Sequence, residues 1–148
     1  MKKILNLAFV AALAGCATAG NRTAPVTLEF RSGSQSPAPG LTKMTAPGSE
    51  SPVYISEQIV LSNADVESAC VVSGESGPQI EIVFTEEGAK RFSTVTEQNI
   101  MNPLAILVDG QLLSAPIVRE RITGGKALIS GSFGKAEAER IANGIAPK

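Results

Sequence analysis

Histidine and tryptophan are absent from this 148-residue chain, tyrosine occurs once and cysteine twice. Without histidine there is no general base that titrates near neutral pH unperturbed and no His-dependent metal site. The longest apolar run, Ile4 to Leu13, is broken at Asn6. It falls short of the roughly 20 residues that a bilayer crossing needs. Basic residues are scattered rather than clustered, and the formal net charge is −1. That excludes the electrostatic footprint of a nucleic-acid binder. No basic amphipathic helix suggests binding to a membrane surface through side chains.

What is present begins with a leader. Met1-Lys2-Lys3 supplies a positive start, Ile4 to Leu13 an apolar core, and Leu13-Ala14-Gly15-Cys16 a small-residue cleavage site ending in cysteine. Leu-Ala-Gly-Cys resembles the bacterial lipobox, whose cysteine takes a diacylglycerol thioether and an N-acyl group. The chain is therefore expected to be cut before Cys16 and held to a membrane by lipid on that residue. Ala17 rather than Asp follows, an arrangement that resembles lipoproteins sent to the outer membrane, facing the periplasm, if the host is diderm. Loss of Lys2 and Lys3 takes the 13 basic side chains to 11 against 14 acidic ones. Lipidation of Cys16 leaves Cys70 without an internal disulfide partner; in Ala69-Cys70-Val71-Val72 it is expected to be a buried thiol behaving as a small hydrophobe.

Residues 1–15 thus read as a signal peptide and 16–25 as a small, polar tether. Val26 to Arg31 alternates apolar and polar residues as a half-buried strand does. Residues 32–52, rich in Ser, Gly and Pro, read as a linker, and the compact domain is expected over 53–148. Within it, Val53 to Ile55 and Ile59 to Leu61 read as short strands, and Val66 to Val72 and Gln79 to Phe84 as a hairpin. Thr85 can cap a helix running from Glu86 to about Gln98, with Ala89, Phe92, Val95 and Thr96 as its inner stripe. Leu104 to Val108 is apolar throughout, the pattern of a strand buried on both faces. Asp109-Gly110 is a hairpin turn returning the chain over Leu112 to Val118, where Pro116 suggests an edge or bulge. Lys126 to Ser130 is a further strand. Lys135 to Asn143 is a final helix with Ala138, Ile141, Ala142 and Ile145 facing inward. The expected class is α+β: a mostly antiparallel sheet with two helices packed on it.

Several pieces, taken in order, resemble the head of the large periplasmic domain of SecD. They are Leu61-Ser62-Asn63-Ala64-Asp65-Val66, Phe84-Thr85-Glu86-Glu87-Gly88-Ala89, Val108-Asp109-Gly110, Leu113-Ser114-Ala115-Pro116, Arg119-Glu120, Ile122-Thr123-Gly124-Gly125 and Ile129-Ser130-Gly131-Ser132-Phe133. Leu28-Glu29-Phe30-Arg31 is similar to the end of the base of that domain, just before the head. The resemblance implies a SecD P1-head-like fold and a part in late protein translocation on the outer side of the membrane, contacting emerging polypeptide. It does not carry proton coupling, because the charged membrane helices and most of the base have no counterpart in this sequence. Arg121 stands where family members often have proline, and Gly134 where a Ser or Thr cap is usual.

Candidate chemistry is sparse. Glu86, Glu87, Glu137 and Glu139 lie at helix starts, where they serve as solvated dipole partners before they serve as an acid–base pair. Ser114 and Ser130 lack an activating base. Gly124-Gly125 precedes a strand rather than a helix and reads as a turn, not a phosphate loop. The one dense charge cluster is Arg119, Glu120 and Arg121, read either as a solvated loop tip or as a polypeptide-contacting lip. The favoured expectation is a lipid-anchored, non-enzymatic module without cofactor that holds unfolded or translocating polypeptide, with Sec translocase components as further partners. The alternative is an accessory envelope lipoprotein docking on a folded partner.

Overall fold

Alternating apolar side chains in β1 (Leu28–Ser34) send Leu28 and Phe30 to one side, where both are buried. The structure, a computed structural model, describes residues 24–146. The leader, Cys16 and most of the tether lie outside them. β1 pairs with β3 (Val53–Ser62) on one side and β6 (Leu104–Val108) on the other, so it is the middle strand of a five-stranded antiparallel sheet. β2 (Leu41–Met44) and β7 (Gln111–Ser114) are its edges. The segment expected as a short piece ahead of the domain therefore forms the sheet's centre.

Residues 32–52, expected as a linker, contain the end of β1 and all of β2. β2 forms because the edge of β3 offers it hydrogen-bonding partners, with Leu41 opposite Ser56 and Met44 opposite Val53. A four-residue strand carries too little periodicity to be read from its own residues. Likewise the two short strands expected at 53–55 and 59–61 are one. Register shifts around Arg31 let β3 run through its polar centre without losing β1.

A second, three-stranded antiparallel sheet is built from β4 (Val66–Gly74), β5 (Gly77–Phe84) and β8 (Lys126–Ile129), in that order. The α+β class holds, with the antiparallel strands divided between two sheets. Cys70 lies half-buried on β4 and is disulfide-bonded. That corrects the expectation of a buried thiol outside any disulfide.

The main core lies between the sheets. Leu28, Phe30, Leu104, Ile106 and Val108 from the large sheet meet Ala69, Ile80, Ile82 and Ile129 from the small one. Both α1 (Glu86–Gln98) and α2 (Lys135–Ile145) feed the same core, through Phe92 and Val95 and through Ala138, Ile141, Ala142 and Ile145. Ala105 and Leu107 point the other way into a smaller cluster with Ile55 and Leu112. This explains why β6 is apolar at every position: each parity has its own core.

Local chemistry fixes the joints. Ser62 and Asp65 form a reciprocal capping box around a single turn at Asn63–Asp65. Asn63 ties the start of β1 to the last turn of the final helix, donating to the carbonyls of Val26 (2.9 Å) and Ile145 (2.8 Å) and accepting from the Leu28 amide (2.7 Å). Thr85 caps α1 by accepting from the Gly88 amide at 3.0 Å. Gly134 caps α2 without a side-chain bond, as its lack of a hydroxyl dictates. At the β6–β7 turn Asp109 and Gly110 have φ of 51° and 79°, both left-handed, as a tight two-residue hairpin requires.

Candidate functional site

After β7 the chain stays beside β6, the Pro116 carbonyl accepting from the Leu104 amide at 2.9 Å, and Val118 then bonds Met101 and Asn102. The following loop is laid across α1 by side chains that the helix presents. Ser93 Oγ accepts from Arg121 Nε at 2.7 Å, and Glu97 lies 3.7 Å from the same guanidinium. Thr96, fully buried, donates its hydroxyl to helix carbonyls and accepts the Ile122 amide at 3.0 Å. Gly125, at φ +70°, turns the chain into β8 and accepts from the Phe84 amide.

Between this loop and β8 opens a cleft of about 540 Å³. Its floor is Phe30, Phe92, Leu104 and Ile106; its walls include Val118, Ile122, Ala127 and Leu128. Leu128 is 57% exposed and Ile122 37% exposed. Two large apolar side chains thus border an opening already lined by core residues, a combination that marks a binding groove more often than inert surface. The charged rim is Arg119, Glu120, Glu81 and Lys126, the last two 3.8 Å apart.

Of the cluster singled out in the sequence, Arg119 and Glu120 line this cleft, whereas Arg121 is engaged with α1. The apolar residues were missed. Ala127-Leu128-Ile129 held the signal, since three successive apolar residues on a strand cannot all face one core; Leu128 is the one left outside. Ser93 and Thr96 were legible only as helix residues, because their partners lie 28 and 26 positions away.

Among the described residues, the serines and carboxylates singled out in the sequence are not brought together. Ser130 Oγ accepts from Gln79 Nε2 at 2.7 Å. No group of three or more metal-ligating side chains occurs among the described residues. Lys90 is raised above its ordinary pKa by hydrogen bonds to Glu87 and Glu86, and Glu137 is lowered by its hydrogen bond from Arg140. Both shifts belong to solvated pairs on helix surfaces, as the positions at helix starts suggested. A hollow of about 650 Å³ beside Pro47, Tyr54 and Ala115 has no charged lining residue.

Two antiparallel sheets sharing one core with two helices, with an apolar cleft beside an edge strand, together define a small α+β domain. The description "SecDF, P1 head subdomain" matches residues 40–146, and the chain belongs to that family. It is 46% identical over 84 residues to the protein translocase subunit SecDF of Thermus thermophilus and 43% identical over 84 residues to SecD of Acidaminococcus fermentans. Each match takes in 56% of this chain, but only 11% and 20% of those relatives. A crystal structure of SecDF in a super-membrane-facing form superimposes with TM-score 0.67 at 33% identity, covering 81% of this chain and 18% of that one. A structure titled as a membrane component SecDF that enhances protein export gives 0.66 at 30% identity, covering 83% and 63%. These relatives are protein translocase subunits, not enzymes. No helix among the described residues is long and apolar enough to cross a membrane.

Proposed function

We propose that this protein is a lipid-anchored, extracytoplasmic module that holds unfolded or translocating polypeptide during export. The observation that carries the reading is the apolar cleft bordered by the exposed Ile122 and Leu128. Arg119 and Glu120 meet the polypeptide at the rim, and Arg121 positions the lip by gripping α1. The family resemblance supports Sec translocase components as neighbours, on the outer side of the membrane and in the periplasm of a diderm host.

The test is a double substitution, Ile122→Glu with Leu128→Glu, assayed against a permanently unfolded, carboxymethylated polypeptide. Leu128 is mostly exposed and Ile122 belongs to neither hydrophobic cluster, so the variant should stay folded and lose only about 1 kcal/mol in stability. Binding should weaken by about tenfold or more, since a buried apolar side chain contributes about 1.5–3 kcal/mol. A variant that folds normally and binds equally well removes the cleft as the site.

Anchoring rests on Cys16 and the lipobox-like sequence before it. Cys16→Ser should abolish incorporation of labelled fatty acid and leave the precursor uncut, because the thiol is the acyl acceptor and its modification precedes cleavage. Labelled mutant protein would refute the assignment. A thioether and a disulfide at Cys16 exclude each other, so the intact mass of the mature chain is expected to carry the lipid increment, and a disulfide at Cys16 would refute the anchor.

A further inference from the structure

Among the described residues β8 is the outermost strand of the small sheet, with β5 on one side and no strand on the other. Which of its backbone groups face outward follows from register. Ile80 lies opposite Ile129 and Val83 opposite Lys126, so Phe84 lies opposite Gly125. The Phe84 amide bonds to the Gly125 carbonyl at 2.9 Å, which makes that a hydrogen-bonded pair. Antiparallel pairs alternate between bonded and non-bonded. Gly125, Ala127 and Ile129 therefore turn their amides and carbonyls toward β5, and Lys126 and Leu128 turn theirs to the open edge. Side chains follow the same alternation. Ala127 and Ile129 pack toward the core, while Lys126 and Leu128 are exposed.

We infer that an extended polypeptide segment adds to β8 as a further strand, taking hydrogen bonds from Lys126 and Leu128 and placing the side chain opposite Ala127 in the cleft. This deepens the proposed polypeptide binding and rests on it. Directly opposed residues on neighbouring strands point to the same face. The residue across from Ala127 is thus aimed at Phe30, Phe92, Leu104 and Ile106, and the two residues flanking it are aimed away. The site accordingly selects one bulky apolar anchor between tolerant neighbours, a pattern that recurs in any unfolded chain containing strand-forming sequence. The rim fits such an occupant: Arg119 and Lys126 balance Glu81 and Glu120, so it neither draws a polyanion nor repels a chain of mixed charge. Four outward backbone groups on β8 supply affinity that does not depend on sequence.

The experiment uses a series of short peptides with a single central leucine or phenylalanine among threonine and serine, each N-methylated at one successive backbone amide. An amide facing β8 cannot be methylated without losing its hydrogen bond and clashing with the strand; its neighbours can. Affinity, read by fluorescence anisotropy with the full chain, should fall about tenfold or more at every second position and change less than about twofold between them. On the protein side, Leu128→Pro deletes an outward amide while leaving the β5–β8 bonds in place, and should weaken binding with little change in melting temperature. Equal sensitivity at all methylated positions, with peptide still bound, overturns strand addition while leaving the cleft as a groove. If unmethylated peptides and unfolded polypeptide both fail to bind, the failure belongs to the underlying function.

Discussion

Gly88→Ala should melt well below the parent, although in an ordinary exposed helix the same change would stabilise by about 1 kcal/mol. A methyl carbon at Gly88 would sit 2.2 Å from the carbonyl oxygen of Asp65 and 3.0 Å from its carbonyl carbon. These are backbone atoms. Asp65 cannot withdraw, because its carbonyl accepts the Thr85 amide at 2.9 Å, its carboxylate accepts the Ser62 amide at 2.9 Å, and Arg91 pairs with the other carboxylate oxygen. Overpacking against a fixed neighbour costs about 1–3 kcal/mol, and in a domain of this size each kcal/mol lowers the midpoint by about 4 °C. Thermal unfolding followed by circular dichroism decides the sign. An unchanged or higher midpoint would mean that α1 is not held against the Asn63–Asp65 turn as described.

Phe92→Ala should be costlier still, by about 3–5 kcal/mol, a large part of the 5–15 kcal/mol that holds a typical domain together. The Phe92 ring is 4.6 Å from that of Phe84 and 6.1 Å from that of Phe30, centroid to centroid, and it joins α1 to both sheets. It also forms part of the cleft floor, so the hole left by truncation connects with an opening and cannot collapse cleanly. Phe92→Leu keeps most of the volume and should lose far less. Equal denaturation midpoints for the alanine and leucine variants would show that the ring is not the keystone of this core.

Much of the fold was legible because local chemistry and tertiary placement agree. Thr85 followed by two glutamates, the all-apolar stretch from Leu104 to Val108, and Asp109-Gly110 each specify their element by capping, burial or positive φ, and the structure realises all three. β2 and the fusion of two expected strands into β3 were not legible, since pairing with a neighbour decides them rather than their own composition. The division of strands between two sheets is equally a long-range property. For the site, charge drew attention to Arg119, Glu120 and Arg121, but the groove beside them is made of apolar residues contributed by β1, α1, β6 and β8. Arg121 illustrates the limit of reading a cluster as a unit: one guanidinium lines the cleft with its neighbour Glu120, and the other reaches back to Ser93 and Glu97.

In the proposed function, extended polypeptide occupies the cleft between the lip and β8. The most direct measurement places a photoreactive phenylalanine analogue at Leu128, at Ile122 or at Ile59, and irradiates each protein with unfolded polypeptide. Ile59 is 47% exposed but lies on β3 opposite Arg31, outside the cleft. Adducts at positions 128 and 122 with little or none at 59 are the expected result. Adducts of equal yield at all three positions, or capture at 59 alone, would contradict it.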